Sequence, residues 1–339
     1  MRLKNLLRKS FHSAIKILPY EIQRRLKLAG TCLLGKEWEY FYLNFFAEEF
    51  ANLSEEEVRN HFKDLSPRSV EVLLDYLKYC RLSHQFYVCV DKNMYDSIIV
   101  PLYHLYPALK EKISFERGVC KSLKKRCCFD TSMSESFCYH HGLKFVPQEV
   151  LEYIKGSSFL DLGAFIGDSA YIFSQYGPGK IIAFEPSVKN RRRMAENMRR
   201  EKIDNVEIVC KGVSDQNGWL CMEENGSRTS ESTAGEQCEI VTVDSYCAQT
   251  APGRIGLIKA DLEGMGLKMV RGAMETIRKD HPVLLLAIYH NRDEFMGIYE
   301  TLKEALPGYS FRVEALSGLS EVTLIGWPPE CFTATPANC

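Results

Sequence analysis

From residue 159 onwards the sequence alternates short apolar runs with amphipathic stretches, and this alternation limits the possible folds more than any other feature. The apolar runs have the length of β-strands, and stretches with helical periodicity lie between many of them. Repeated strand–helix–strand units are typical of a parallel sheet with helices on both faces. The strand-like runs are 159–162, 180–185, 206–212, 238–243, 256–261, 283–290, 309–315 and 322–327. The sequence therefore predicts an α/β fold with a mostly parallel sheet.

The residues before this alternation show a helical pattern instead. Ser54 and Glu57 have the spacing of a capping box, in which each side chain accepts a hydrogen bond from the other's backbone. Pro67 suits the first position of the next helix. Further along, the polar segment 223–237 is rich in Gly, Ser and Thr and is predicted to be a surface loop. The predicted regions are a helical region at 1–118, the α/β domain at 119–330 and a tail at 331–339.

Charge balance and cysteine usage limit the partners and the location of the protein. The chain has 43 basic and 44 acidic residues and a formal net charge of −1, so no overall field attracts nucleic acid. Its 13 cysteines include no Cys-x-x-Cys pair, which favours free thiols in a reducing compartment, the cytoplasm. The longest run without Lys, Arg, Asp or Glu before residue 320 is 97–109, shorter than the about 20 residues of a membrane-spanning helix. Neither a spanning helix nor a nucleic-acid partner is expected.

The first 28 residues carry eight Lys or Arg side chains against a single acid, Glu21. Apolar residues recur among them at three- and four-residue spacing, which predicts an amphipathic helix. A basic amphipathic helix can lie on an anionic membrane surface, which here would be the inner face of the membrane. The alternative is an ordinary helix with a solvated basic face. Both interpretations remain open.

The most informative cluster begins where the first strand-like run ends. Asp161 closes that run, and a turn with two glycines, Gly163 and Gly167, leads directly into a helix. In open parallel sheets, ligands bind at the carboxyl ends of the strands, where such turns lie. Asp168 or Ser169 is predicted to cap the helix that follows. The candidate cofactor-binding residues of this turn are Asp161, Gly163, Ala164, Gly167, Asp168 and Ser169.

A second carboxylate, Glu185, lies at the end of the next strand-like run and is followed by Pro186. A carboxylate at this place can accept hydrogen bonds from both hydroxyls of a ribose, whether the ribose belongs to NAD or to S-adenosyl-L-methionine. Pro186 is a further candidate for contact with the cofactor. Gly212 and Val213, at the end of the third run, are candidates too.

The turn itself distinguishes the two cofactors. Binding of a dinucleotide calls for three glycines, so that a pyrophosphate can reach a helix N-terminus. This turn has two glycines with the bulky Phe165 and Ile166 between them. Asp161 would repel a pyrophosphate but suits the cationic end of S-adenosyl-L-methionine. The residues therefore favour S-adenosyl-L-methionine.

The order and spacing of several segments resemble the FkbM-type methyltransferases over about residues 135–327. The matching segments are YHHGLKFVPQEVLEYI before the first strand, FLDLGAFIGDSA, IIAFEPS, VTVDSY, IKADLEGMGLKMVRGA and LLLAIYH. The resemblance implies a class I, Rossmann-like methyltransferase fold with a helical extension. It also implies O-methylation of a small-molecule or glycan hydroxyl. One departure is Gly266, which stands where the family usually has the last glutamate of D-x-E-G-x-E. A degenerate, non-catalytic member that binds cofactor or a partner is therefore the alternative.

A hydroxyl acceptor must lose its proton, so a base near the strand ends would help the reaction. The catalytic candidates are His290, Asp261 and Glu263. His290 either takes this proton or is held by hydrogen bonds to backbone or substrate. Asp261, His290 and Asn291 could instead hold a divalent metal. The cysteines and histidines between 127 and 141 match no common zinc spacing, so no metal site is predicted.

Overall fold

The computed structural model describes residues 47–88, 107–123, 129, 133–225, 228–231 and 236–333, and the account below concerns these residues. The predicted helix at 1–28 lies outside them, as do Cys127 and Cys128. In the described part of the chain, no helix is both long enough and apolar enough to cross a membrane.

Seven of the described strands form one central sheet. Their order is β10-β11-β9-β8-β1-β2-β3. The strands are β1 Ser158–Leu162, β2 Lys180–Phe184, β3 Val206–Val209, β4 Gly212–Val213, β5 Gly218–Asn225, β6 Arg228–Glu231, β7 Glu236–Val241, β8 Ile255–Ala260, β9 Val283–Ala287, β10 Ser310–Ser317 and β11 Ser320–Trp327. Strand β11 runs antiparallel to both its neighbours, and the other pairings in this sheet are parallel. The predicted α/β fold with a mostly parallel sheet is confirmed.

The described helices cover both faces of this sheet and extend beyond its edge. They are α1 Glu55–His61, α2 Pro67–Val88, α3 Pro107–Leu123, α4 Ser134–Phe137, α5 Gln148–Ile154, α6 Asp168–Phe173, α7 Val188–Glu201, α8 Val243–Thr250, α9 Gly266–Arg271, α10 Met274–Asp280 and α11 Arg292–Ala305. Short 3₁₀ segments lie at Ala47–Phe50, His140–Phe145, Ser174–Tyr176 and Pro329–Phe332.

Burial on both faces explains the apolar residues of β1. All five of its residues are buried, and three of them, Phe159, Leu160 and Leu162, are apolar. Successive side chains of a strand point to opposite faces, so a strand covered on both sides favours apolar residues on each face. Leu160 and Leu162 join the hydrophobic core on one face of the sheet, and Phe159 joins the core on the other. The helices therefore leave the strand ends, rather than the faces, as the place for polar chemistry.

The N-terminal helices share a core with the sheet. Phe62 and Tyr76 pack against Phe295 of α11, with ring centroids 5.7 and 5.9 Å apart. The Ser69 hydroxyl of α2 accepts a hydrogen bond from the backbone N–H of Val313 in β10 at 3.1 Å. The helical region thus covers one face of the α/β domain. The predicted domain boundaries stay predictions.

Local signals at the start of these helices are confirmed. Ser54 caps α1 through its hydroxyl, which accepts from Glu57 N at 3.1 Å, while the Glu57 carboxylate accepts from Ser54 N at 2.8 Å. Pro67 is the first residue of α2. Both features depend on residues a few positions apart, which is why the sequence alone could predict them.

The predicted surface loop at 223–237 is wrong. Strands β5, β6 and β7 run through it and form a second sheet with β4, in which Asn225 pairs with Arg228. Strand pairing satisfies backbone groups whatever the side chains are, so a polar composition does not exclude strands. The two residues between Asn225 and Arg228 in the sequence, Gly226 and Ser227, are a Gly-Ser hairpin signal that would have predicted the β5–β6 pairing.

Candidate functional site

The predicted site residues meet at one edge of the central sheet. Parallel strands end at the same edge, so the turns after β1, β2 and β8 and the segment after β9 lie side by side. This brings Asp161, Glu185, Asp261 and His290 into one neighbourhood, although they are far apart in the sequence. The site has two parts, one built on β1 and β2 and the other on β8, β9 and β11.

The turn after β1 depends on its two glycines. Gly163 has a φ of +77°, and a Cβ on it would lie 2.0 Å from the backbone oxygen of Asp261. Gly167 has a φ of +85°, and a Cβ there would lie 2.7 Å from Cγ of Met194 in α7. Left-handed backbone favours glycine, and neither space admits a side chain. Both glycines therefore set the packing of the turn against the rest of the fold.

The predicted helix cap by Asp168 or Ser169 is wrong. The N-cap position of α6 is Gly167, and no side chain caps that end. Ser169 instead donates to Oδ2 of Asp161 at 2.5 Å, and the Ser136 hydroxyl donates to Asp168. Both side chains are buried. Ser169 thus contacts Asp161, and Asp168 contacts Ser136, instead of the helix N-terminus. No local sequence pattern predicts these tertiary contacts.

Asp161 forms a buried ion pair that the sequence did not indicate. Nζ of Lys259, in β8, lies 3.2 Å from Oδ1 of Asp161 and donates to the backbone oxygen of Gly163 at 2.7 Å. Burial disfavours the charge on Lys259, yet three nearby carboxylates outweigh it and raise its pKa. The charge of Asp161 is therefore balanced by Lys259 inside the protein before any cationic ligand end is present. Its part in cofactor binding stays a prediction.

The sequence held one signal for this ion pair, which is a lysine within the apolar run of β8. A charge inside a buried strand needs a partner, because an isolated buried ion is strongly unfavourable. Lys259 is the single charged residue among the six of that strand. Sequence reasoning missed it by attending to the strand ends alone.

Glu185 is buried at the end of β2 and organises the turn beside it. Its carboxylate accepts from the backbone N–H of Phe165 at 2.9 Å and of Ser187 at 2.8 Å. Burial raises the pKa of Glu185 to about 7, against the opposing effect of these hydrogen bonds. Among the described residues, Oε2 accepts one hydrogen bond, from Phe165, and so has capacity for another. The ribose-binding role of Glu185 stays a prediction.

The other predicted cofactor residues adjoin Glu185. The Arg191 guanidinium donates to the backbone oxygens of Glu185 and Pro186, which fixes the start of α7. Gly212 and Val213 form β4, and both are buried. Burial raises the pKa of the Cys238 thiol, with the Gly212 backbone and the Glu185 charge also acting on it. Gly212 and Val213 thus lie at the same edge as Glu185, and Ala164 lies in the turn beside it.

His290 lies between two carboxylates. Its Nε2 is 3.0 Å from Oδ1 of Asp261, and its Nδ1 is 2.8 Å from Oε2 of Glu294. Burial opposes a charge here, but the two carboxylates outweigh it and hold the pKa of His290 well above its usual range. Burial likewise acts to raise the pKa of Asp261, but His290 and Lys259 outweigh it and hold that pKa well below its usual range. An imidazolium engaged at both nitrogens is suited to orienting Asp261, and the base role of His290 stays a prediction.

The backbone of Gly266 packs directly against the carboxylate of Glu294. The backbone N–H of Gly266 donates to Oε1 of Glu294 at 2.5 Å, and a Cβ on Gly266 would lie 2.7 Å from that oxygen. Glu294 comes from α11 and is fully buried. A carboxylate therefore occupies the space beside position 266, where the resembling family usually has a glutamate.

Glu263 and Asn291 complete this side of the site. Glu263 has a left-handed backbone, with a φ of 50°, and its Oε2 is 4.0 Å from Nε2 of His290. Asn291 caps α11 through Oδ1, which accepts from Glu294 N at 2.8 Å, and its Nδ2 donates to the backbone oxygen of Gly264 at 3.1 Å. Both ends of the Asn291 side chain, one ligand in the metal alternative, are thus engaged. Within the described ranges, no group of three or more His, Cys, Asp or Glu has a metal-holding arrangement.

A polar pocket adjoins Asp261 at the ends of β8 and β9. Its polar lining consists of Glu135, His141, Lys259, Asp261, Tyr289, Glu321 and Thr323. Sequence reasoning missed Glu135, Tyr289 and Glu321, which come from α4, the segment after β9 and β11. Tyr289 had a signal, its place beside His290 at a strand end. Glu135 and Glu321 had none, because neither follows a parallel strand.

Comparison with known proteins finds a family model that matches the central part of the chain. Residues 161–313 match the model of the Methyltransferase FkbM domain. No curated protein matches the sequence significantly.

Similar solved structures are methyltransferases by description. The FkbM methyltransferase from Methylobacillus flagellatus KT is 15% identical, with 64% of this chain and 60% of that chain covered and a TM-score of 0.44. An rRNA methylase from Streptococcus thermophilus is 12% identical, with 53% and 91% covered and a TM-score of 0.37. A proposed methyltransferase from Streptococcus mutans, solved in complex with SAH, is 12% identical, with 55% and 97% covered and a TM-score of 0.37. The chain thus spans less than two thirds of the M. flagellatus protein.

Proposed function

We propose that this chain, in which residues 161–313 form a Methyltransferase FkbM domain, uses S-adenosyl-L-methionine to methylate a hydroxyl of a sugar, polysaccharide or related small molecule. One observation carries the proposal: a buried carboxylate with spare acceptor capacity, Glu185, lies at the same sheet edge as the polar pocket beside Asp261. The first suits a ribose, and the second, which has room for about one water molecule, suits a single hydroxyl of the acceptor rather than the whole of it.

The residues of the β1–β2 part fit the cofactor. Glu185 would accept hydrogen bonds from the ribose hydroxyls, and the turn from Gly163 to Gly167 would pass along the ligand. S-adenosyl-L-methionine, when bound, supplies the methyl group: its carbon–sulfur bond breaks with the electron pair kept by sulfur as the acceptor oxygen bonds to carbon. The protein's part is to hold the two reactants in line at about 3–3.5 Å.

The residues of the β8–β9 part fit an acceptor hydroxyl. Asp261 is ionised and held in place by His290, so its carboxylate can accept a hydrogen bond from that hydroxyl. His290 in turn is fixed by Glu294. Glu263 lies next to both and adds negative charge where a proton must depart. No divalent metal is part of this proposal.

Calorimetry and product analysis test the proposal in two steps. The full chain is titrated with S-adenosyl-L-methionine, with S-adenosylhomocysteine and with NAD, and binding of the first two but not NAD is expected. Formation of S-adenosylhomocysteine is then measured against a panel of sugars and oligosaccharides. Binding without turnover on any acceptor would favour the non-catalytic alternative, and binding of NAD alone would overturn the proposal.

The charge balance and the cysteine usage of the chain support the proposed partners and location. The net charge of −1 supports a small acceptor rather than nucleic acid, and the cysteine usage supports a cytoplasmic protein. Residues 1–28 would bring it to the anionic inner face of the membrane. Co-sedimentation with phosphatidylserine vesicles tests this, with phosphatidylcholine vesicles and a chain lacking residues 1–28 as controls. Equal sedimentation of both chains would exclude that segment as the contact.

A further inference from the structure

Two carboxylates face Asp261 across the polar pocket, and neither has a part in the function proposed above. Glu135 comes from α4 and Glu321 from the start of β11. The Tyr289 hydroxyl lies 3.4 Å from both carboxylate oxygens of Asp261 and is also hydrogen-bonded to Glu321. Tyr289 therefore bridges Asp261 to Glu321 at the end of β9, where an acceptor would lie.

The backbone of Glu321 is strained. Among the described residues, the non-glycine residues with positive φ are His140, His141, Phe165, Lys202, Ala251, Glu263, His281 and Glu321. Lys202, Ala251 and His281 are the C-cap residues of α7, α8 and α10, where a left-handed residue is common. Of the other five, His141 and Glu321 line the polar pocket. An outlier of this kind at a polar pocket motivates a hypothesis of function, because the fold holds a conformation that glycine would adopt more easily.

The charges around Glu321 make it a better proton acceptor than its neighbours. Burial and the Asp261 charge raise the pKa of Glu321 to about 7. Burial and the Glu321 charge raise the pKa of Glu135 well above its usual range. A base works best when its pKa lies near the working pH. The titratable groups that face or line this space are Glu135, His141, Lys259, Asp261, Glu263, Tyr289 and His290.

We infer that Glu321 accepts the proton of the acceptor hydroxyl, and that Tyr289 and Glu135 position that hydroxyl. The inference rests on the function proposed above. The O–H proton passes to a carboxylate oxygen of Glu321, the oxygen's electron pair forms the bond to the methyl carbon, and the proton is later lost to water. Asp261 is ionised beside His290 and orients the acceptor without taking its proton.

Proton release on binding tests the inference without an acceptor. S-adenosylmethionine carries a sulfonium, S-adenosylhomocysteine a neutral thioether, and the two are otherwise alike. A cation beside the pocket lowers the pKa of its carboxyls, so the first ligand should release more protons than the second near neutral pH. Calorimetry in phosphate and in Tris buffer measures this difference. Glu321→Gln should abolish most of it while binding S-adenosylhomocysteine as wild type does, whereas an unchanged difference would overturn the inference.

Turnover gives the second test, with the acceptor that is active in the sugar panel. Glu321→Gln should lower kcat by about 10²–10⁴-fold and remove the limb near pH 7 from the pH–rate profile. Glu321→Gly should lower kcat as much yet unfold at the same temperature as wild type or higher, because glycine relieves the left-handed backbone. Glu152→Gln, an exposed change on α5, is the control. Retained kcat in both Glu321 variants would overturn the inference, and a wild type that binds neither ligand would instead overturn the proposed function.

Discussion

The two parts of the site differ in how widely their residues are separated in the sequence. The β1–β2 part takes its turn and Glu185 from one continuous stretch, 161–185. The β8–β9 part collects Glu135, Asp261, Tyr289 and Glu321 from four separate segments. The first part resembles a local motif, whereas the second exists only when the sheet has formed.

Cofactor recognition and acceptor binding therefore depend on different levels of structure. A ribose and its neighbours are common to many ligands, and one strand–turn–helix unit can recognise them. An acceptor is held by groups that converge from several elements, as in most small-molecule pockets. The Lys259–Asp161 pair joins the two parts, since β8 supplies the lysine and β1 the aspartate.

The largest expected effect is the loss of stability when the Lys259–Asp161 ion pair between the two parts is broken. Lys259→Met leaves Asp161 buried without its cation, and loss of one partner of a buried pair typically costs about 3–5 kcal/mol of unfolding free energy. Urea denaturation measures the loss. The double variant Asp161→Asn/Lys259→Met removes the unpaired charge and should recover most of the stability. If Lys259→Met is as stable as wild type, the pair does not join the two parts.

The next largest effect is a loss of cofactor affinity, and it concerns the β1–β2 part alone. Glu185→Ala removes a charged acceptor from two ribose hydroxyls, and such hydrogen bonds contribute about 1.5–3 kcal/mol, so the Kd for S-adenosylmethionine should rise about 10–100-fold. Because Glu185 also binds the Phe165 and Ser187 N–H groups, Glu185→Gln serves as the milder control that keeps one acceptor oxygen. A Kd that is unchanged in calorimetry would remove the ribose assignment.

The pH dependence of binding gives a smaller effect on the same part. The ribose hydroxyls donate to the ionised carboxylate of Glu185, and its pKa is raised to about 7, so the binding form accumulates as pH rises through that value. Affinity for S-adenosylhomocysteine should therefore increase about tenfold from about pH 6 to 8. The neutral thioether is used to reduce the influence of the pocket carboxyls. Glu185→Gln should show a flat profile, and a wild-type affinity that falls with pH would contradict the assignment.

The smallest effect is expected from a change that weakens a contact of the β8–β9 part and leaves the β1–β2 part unaltered. The buried Tyr76 hydroxyl of α2 donates to the backbone oxygen of Tyr289 at 2.6 Å and so ties the helical region to the β8–β9 part. Tyr76→Phe should cost about 1 kcal/mol in urea denaturation. The Kd for S-adenosylmethionine should not change, because no cofactor residue contacts this bond. A weaker Kd with unchanged stability would show that the parts are not independent in this way.

Sequence alone was sufficient for features whose cause lies within a few residues. Helical and strand periodicity predicted the layered α/β architecture because each element must bury one face or both. The Ser54–Glu57 capping box and the glycine turn before α6 were predictable for the same local reason. The prediction for 223–237 was wrong because composition was weighed above the Gly226-Ser227 hairpin signal.

Tertiary structure alone decided which charges meet. Strand order places Lys259 against Asp161, and α11 brings Glu294 to the space beside Gly266. The β10–β11 hairpin carries Glu321 to the pocket next to Tyr289. None of these pairs has a sequence spacing that a helix or strand would impose. The energy of a buried charge depends on all its neighbours, and those neighbours are known only once the sheet has assembled.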